Sequence, residues 1–323
     1  MSDARPADPL AASAYDACEL CPRRCRARRS QGRAGRCGMT SELRVARSAL
    51  HPWEEPPISG ESGSGAIFFS GCPLGCVFCQ NHEISGEGFG VAVSARRLAQ
   101  MMLELQAQGA LNVNLVTPLH FSPQVREAVG LAREAGLGLP VVCNTSGYEL
   151  PEVVAALGGV VDVWLTDFKY ADGALSGAPD YPEVAASALE AMLESLRAAG
   201  GREVGSDGAM RRGIIVRHLV LPGHADDSCA VLDRVWEIAG NEADLSVMNQ
   251  YTPNEACRRA GGDLARAVTD EEYEIVLCHA DDLGFERIWW QEGGTVSESF
   301  VPAFDATGVD GPELGPTPVA QAV

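Results

Sequence analysis

The run Gly71-Cys72-Pro73-Leu74-Gly75-Cys76-Val77-Phe78-Cys79-Gln80-Asn81 constrains this chain more than any other stretch. Three cysteines stand in a C-x3-C-x2-C pattern, with an aromatic residue directly before the third. Thiolates this close in sequence converge only if a short loop wraps them, and Gly71 and Gly75 permit the tight turns required. No fourth cysteine follows nearby. A 4Fe–4S cube held here would keep one iron without a protein thiolate, whereas the usual electron-transfer cluster has four. An open coordination position separates a catalytic metal site from a closed structural one. Three buried cysteines in a turn, or a zinc site with a distant ligand, are the plainer alternatives. The agreement of cysteines, glycines and Phe78, directly after an apolar strand, weighs against both.

The surrounding pattern predicts repeated βα units. Ala66 to Ser70 reads as a short buried strand running into the cysteine loop. Ser94 then reads as an N-cap, with Leu98, Met101, Met102 and Leu105 on one helix face. Strands follow at 111–117, 141–144, 160–167, 214–221 and 245–250, with a seventh at 285–291. Ser122-Pro123 reads as an N-cap with proline in the first helical turn, and a helix is expected from Pro182 to Ala199. Strands alternating with helices mean a parallel sheet, although periodicity alone does not separate a barrel from an open doubly wound sheet. Between Arg44 and Gly65, Pro52, Pro56 and Pro57 argue for extended segments and turns without a helix. Residues 1–17 are expected to be disordered, 18–50 to form a cysteine-rich lead-in, 51–294 to form the α/β body, and 295–323 to be a flexible tail.

The lead-in carries Cys18-x2-Cys21-x3-Cys25-x11-Cys37, four cysteines in twenty residues with nearby glycines. That pattern predicts a compact metal knuckle, with zinc as a structural pin or an auxiliary iron–sulfur cluster as a relay. The spacing fits either. The first fifty residues hold ten arginines against five acids, while the whole chain has a net charge of −19. The body is therefore strongly acidic and would repel a phosphate backbone, which argues against a nucleic-acid substrate. The Arg-rich patch from Arg23 to Arg36 reads as neutralising the thiolates beside it or docking an acidic partner before it reads as an RNA arm. No window approaches eighteen uninterrupted apolar residues, so no membrane span is expected. The first thirty residues lack a basic-then-apolar leader, and clustered cysteines without that leader suggest metal in a cytoplasmic protein. Of 25 basic residues only Lys169 is a lysine. A chain this averse to lysine keeps one where a compact ammonium is needed and a planar fork does not fit.

The cysteine run, with His51-Pro52-Trp53-Glu54-Glu55-Pro56-Pro57-Ile58-Ser59-Gly60 upstream and Gln80-Asn81 downstream, resembles the radical S-adenosylmethionine (SAM) superfamily. Within it, the chain resembles a branch related to pyruvate formate-lyase activating enzymes, from about Cys18 to about Gly294. The resemblance implies a partial (β/α)6-type barrel with its active site at the carboxyl ends of the strands, where parallel barrels keep theirs. Cys72, Cys76 and Cys79 are then expected to hold the 4Fe–4S cluster, whose open iron takes the amino and carboxylate groups of SAM. Asn144 and Ser146 stand near the place of family residues that meet the ribose or methionyl portion. Asp167, Lys169 and Arg217 match residues that fix the methionyl end. A reductant such as flavodoxin or ferredoxin is implied.

Two departures stand out. The family's Gly-Gly-Glu after the second strand is replaced by Val116-Thr117-Pro118, and Thr252 follows Tyr251 where a histidine is usual. His120, His218 and Cys143 sit near strand ends but read first as packing residues. Three functional readings follow. The first is an activating enzyme that installs a glycyl radical on a partner protein, and the second a radical enzyme acting on another protein residue or a small molecule. The third is a non-catalytic iron–sulfur or zinc relay, which would need no methionine-binding pocket.

Overall fold

The computed structural model describes residues 8–175, 177–291 and 301–316. Its strands are β1 (Arg44–His51), β2 (Ser64–Phe69), β3 (Val91–Ala92), β4 (Val113–Val116), β5 (Val141–Thr145), β6 (Val163–Asp167), β7 (Glu203–Val204), β8 (Met210–Leu219), β9 (Asp244–Met248) and β10 (Ile288–Trp290). They form one sheet in the order β10-β9-β8-β6-β5-β4-β2-β1-β3, with β7 hydrogen bonded to β8 off this path. Every pairing from β2 through β4, β5, β6, β8 and β9 to β10 is parallel. β1 is antiparallel to β2. The sheet does not close, so the expected partial barrel is what these residues build. The helices are α1 (Pro56–Ser59), α2 (His82–Ser85), α3 (Ala95–Ala107), α4 (Ser122–Glu134), α5 (Pro151–Ala156), α6 (Tyr181–Ala198), α7 (Ala225–Ala239), α8 (Glu255–Ala260) and α9 (Asp270–Leu283).

The outer face of the sheet is covered by helices. On α3, the side chain of Ser94 accepts a hydrogen bond from the Arg97 amide, and Leu98, Met101, Met102 and Leu105 are all buried. Each such side chain stabilises the fold by about 1.5–3 kcal/mol on burial. Ser122 differs from its expected capping role. A 3-10 turn over Leu119–Phe121 runs straight into α4, so Ser122 is already helical and its buried hydroxyl has no partner among the described residues. The strand expected at 214–221 also starts earlier, at Met210, and ends at Leu219. Glu203 and Val204 pair antiparallel with Arg212 and Met210, which extends β8 backward to Met210.

The inner face is plugged at one end. After β1, residues 52–59 turn into the lumen, and Pro56 and Pro57 start the four-residue helix α1. Proline suits a first helical turn, where its missing N–H has no partner to lose; the expectation that these prolines preclude a helix fails here. Ile58 packs against Val142, Val163, Leu165, Met210 and Ile215, and its carbonyl accepts from Asn112 Nδ2 at 2.7 Å.

Two terminal expectations also change. Within 8–17, a 3-10 turn spans Ala12–Tyr15 and buries Tyr15; residues 1–7 lie outside the described residues. Residues 301–316, expected as tail, pack as a strap along the free edge of β1. The Ser48 amide donates to Thr307 O at 2.8 Å, and the Ala306 amide to Ala46 O at 3.0 Å. Phe304 meets Phe68 edge-on, and Val309 is buried among α3 and α4 residues. The buried guanidinium of Arg97 donates to the carbonyls of Gly308, Val309, Asp310 and Pro312. Residues 292–300 and 317–323 of the expected tail lie outside the described residues.

Candidate active site

Successive strand side chains alternate between the two faces of a sheet, and the lumen face is fixed by Val142, Val163, Leu165 and Ile215. Carrying the same alternation forward brings Asn144 and Ser146 into the lumen after Val142, Asp167 after Leu165, and Arg217 after Ile215. Residues of the opposite phase, among them Cys143, Trp164 and Val216, pack under the helices. As a result Asn144, Ser146, Asp167, Lys169 and Arg217 line one cavity of about 420 Å³ together with Cys72, Cys76 and Cys79.

The cysteine loop follows β2 and is tied from several sides. A Cβ at Gly71 would lie 2.4 Å from Met39 Cγ and 2.6 Å from Cys37 O, and the residue has φ +83°. Only glycine fits that approach. Arg23 Nε donates to Pro73 O at 3.0 Å, and its Nη2 to Leu74 O at 3.1 Å. Phe78 packs edge-on against Tyr170 and Tyr251, and Gln80 Nε2 donates to Gln250 O at 2.8 Å. Burial, and then the neighbouring Cys76, pushes the Cys72 thiol up to about 12. Burial raises Cys76 as well, although Lys169 pulls the other way. Sulfurs in this setting become thiolates only when a cation joins them.

Across the cavity lies an ion network. Lys169 Nζ donates to Asp167 Oδ2 at 2.5 Å, and Arg217 Nε to Asp167 Oδ1 at 2.9 Å. Burial alone would raise the Asp167 pKa, but the two cations outweigh it and hold the carboxyl below its usual range. Arg217 Nη2 also donates to Asn144 Oδ1 at 2.6 Å. The Tyr181 hydroxyl accepts the Lys169 amide and donates to Ser146 O. Gly147 lets this corner close, since a Cβ there would sit 2.2 Å from Asp167 O.

Glu54 and Glu55 also line this cavity. Glu54 Oε1 accepts from Asn114 at 2.9 Å, and Oε2 lies 3.4 Å from Arg217 Nη1. Sequence reasoning quoted this acidic pair without giving it a role. The signal was two adjacent acids between prolines, and only the plug's entry into the lumen turns them inward. Trp289 and Met248, also missed, reach the cavity from β10 and β9, and Gln250 from the segment after β9.

Other candidates fall outside it. His120 Nε2 donates to Ser70 O and His218 Nδ1 to Phe168 O, each at 2.8 Å. Burial pushes their pKa values down to about 3 and about 4. Tyr251 donates to Leu264 O and serves packing. Thr117 lines the cavity with φ +58°, a left-handed conformation that a β-branched residue adopts only under strain. The backbone thus keeps a glycine-like shape where the family's glycine pair is missing.

The four lead-in cysteines do not line the cavity. Cys18, Cys21 and Cys37 are buried and Cys25 is exposed. Arg29 sits beside them, with Nη1 3.5 Å from Cys18 Sγ. Among the described residues no three His, Cys, Asp or Glu side chains close into a cage for a single metal ion, so the expected knuckle gains no support. A cube, by contrast, spreads its thiolates over several irons and needs a wider set of donors. The loop cysteines match that chemistry, being three thiols on one cavity with no fourth cysteine lining it.

A model of the radical SAM superfamily matches residues 66–230, from β2 through the first residues of α7. The chain belongs to the radical SAM superfamily. This radical SAM protein is 28% identical over 296 residues to an uncharacterized protein of Methanocaldococcus jannaschii, covering 87% of the chain and 79% of that relative. Among solved structures it is similar to Streptococcus suis SuiB bound to S-adenosylmethionine, at 15% identity and TM-score 0.46, covering 69% of this chain and 48% of that one. A radical SAM methyltransferase from Sphaerobacter thermophilus is similar at 11% identity and TM-score 0.44, covering 72% and 68%. The chain thus spans about half the length of the SuiB structure. No helix among the described residues is long and apolar enough to cross a membrane.

Proposed function

We propose that this radical SAM protein cleaves S-adenosylmethionine reductively and uses the resulting 5′-deoxyadenosyl radical to abstract hydrogen from a second substrate. One observation carries the reading: three cysteines and the Asp167–Lys169–Arg217 network line the same cavity. Cys72, Cys76 and Cys79 would hold a 4Fe–4S cluster, which supplies an electron and, at its open iron, a seat for the amino and carboxylate groups of the cofactor. Lys169 would meet the methionyl carboxylate, and Asp167 its ammonium. Arg217 holds Asp167 charged and aimed, and Tyr181 holds the Lys169 backbone. Asn144 and Ser146 offer an amide and a hydroxyl to the ribose. Phe68, Phe69 and Trp289 line the walls, which keeps water from a reactive intermediate.

Flavodoxin or ferredoxin fits the need for a one-electron donor. Installing a glycyl radical on a partner protein is the reading that the resembled branch brings. Modification of a small molecule, or of a residue on a short peptide, is favoured by the strap, because residues 303–309 lie along the edge of β1 and Val301 lines the cavity. That leaves less lateral room for an inserted protein loop. The test is 5′-deoxyadenosine formation by anaerobically reconstituted, dithionite-reduced protein. Product is expected. Intact cluster absorbance with no product would leave the relay reading instead.

A further inference from the structure

The cavity holds one more acid than its cations can serve. Asp167 is paired with Lys169 and Arg217, and Glu54 with Arg217 and two asparagines. Glu55 is left over. It is 9% exposed, and its Oε2 is buried with no partner among the described residues. Burial raises its pKa, Arg217 opposes this, and Glu54 raises it further; Ser246 is hydrogen bonded beside it. His51, which also lines the cavity, has its pKa lowered by burial and then by Arg47, which disfavours a compensating charge there. A second orphan belongs to a residue lining the same cavity: the buried indole N–H of Trp289 lacks an acceptor among the described residues. Buried polar groups are nearly always matched, and an unmatched acceptor and donor sharing one cavity are what a ligand would complete.

Resting on the reading above, we propose that Glu55 and Trp289 form the substrate end of the cavity and receive a basic amino-acid residue. Its ammonium or guanidinium group meets the Glu55 carboxylate, and its amide carbonyl accepts from the Trp289 indole. Trp53 and Trp290 line the same cavity and provide aromatic faces that attract a cation on an apolar stem.

The probes are N-acetyl-lysinamide and N-acetyl-argininamide, with N-acetyl-norleucinamide as the neutral control of matching length. Binding is measured by anaerobic titration calorimetry on the reconstituted protein with S-adenosylmethionine present. The basic probes are expected to bind at least tenfold more tightly than norleucinamide, and Glu55→Gln to erase that preference. Trp289→Phe should weaken all three amides about threefold or more. Equal binding of basic and neutral probes to the unaltered protein overturns the inference whether or not any variant folds. A Glu55→Gln protein that loses cofactor affinity yet keeps the preference also overturns it, since the carboxylate then belongs to the cofactor. Cofactor cleavage by the unaltered protein is scored separately: its absence sinks the functional reading, whereas its presence without charge preference sinks this inference alone.

Discussion

The two cysteine groups of this protein share spacings of two and three residues but not surroundings. Cys72, Cys76 and Cys79 line the cavity, opposite Lys169 and next to Tyr170. Cys18, Cys21, Cys25 and Cys37 gather near Arg29, which is 1% exposed. That guanidinium donates to Thr40 O and His120 O and lies over the rings of Tyr15 and Phe121. One group faces a cavity whose cation, Lys169, is paired with Asp167, while the other lies beside a buried guanidinium bonded to backbone carbonyls. Sulfur-rich spacing therefore says where thiols gather, and the neighbouring charge says what they can hold.

The comparison breaks most sharply at Cys76. Cys76→Ala should abolish both the brown iron chromophore and 5′-deoxyadenosine formation, and full turnover by that variant would overturn the site assignment. The Cys18→Ala/Cys21→Ala double variant sharpens the other side. If the lead-in holds no metal, iron content stays at that of one cube and zinc is absent from both proteins; a fall in either metal restores the knuckle.

Arg29→Met should cost about 3 kcal/mol in urea unfolding, because the carbonyls of Thr40 and His120 lose a buried charged donor. A loss under 1 kcal/mol would mean that the lead-in is not organised by this cation. Lys169→Ala should weaken S-adenosylmethionine binding by tenfold or more, about 1.4 kcal/mol, with iron content retained. Unchanged affinity would make Lys169 only Asp167's partner.

A smaller effect is expected with pH. Burial raises the Glu149 carboxyl to about 8, against a hydrogen bond from Thr145. Between its unfolded value and pH 8 the native state then binds the extra proton, so stability falls as pH rises, by up to roughly 1.4 kcal/mol per unit. His120 and His218 act oppositely, but only below their unfolded value near 6.5. Urea unfolding at pH 6.5 and 8.0 is compared between the protein and Glu149→Gln, since the histidine contribution is common to both, and the variant should lose this part of the fall with pH. The smallest effect is at Thr117→Gly, where relief of a left-handed β-branched residue should add about 1 kcal/mol. No gain would mean that Thr117 makes a contact worth its strain.

Much of the site was legible because strand alternation is a local code. Once Val142, Leu165 and Ile215 are taken as inward, Asn144, Asp167 and Arg217 follow two residues later. The single lysine was informative for a similar reason, since composition marked it and β6 delivered it to the cavity. What was not legible depends on contacts between distant segments. Pro56 and Pro57 look like helix breakers until the plug is seen to begin at them. Glu54 and Glu55 look like surface acids until that plug carries them inside. Ser122 has the chemistry of a cap, but the 3-10 turn before it decides its backbone. Nothing local in residues 301–316 announces that Arg97, two hundred residues earlier, will collect their carbonyls.

The strap along β1 bears on how the protein is handled. Without residues 303–309, Ala46 O and Ser48 N would form part of an unpaired ribbon, the kind of border that recruits a second chain. A truncation ending at Gln291 would uncover that border and the Phe68 ring together, so shortened versions should self-associate in proportion to concentration. Affinity tags are therefore better placed at the other terminus.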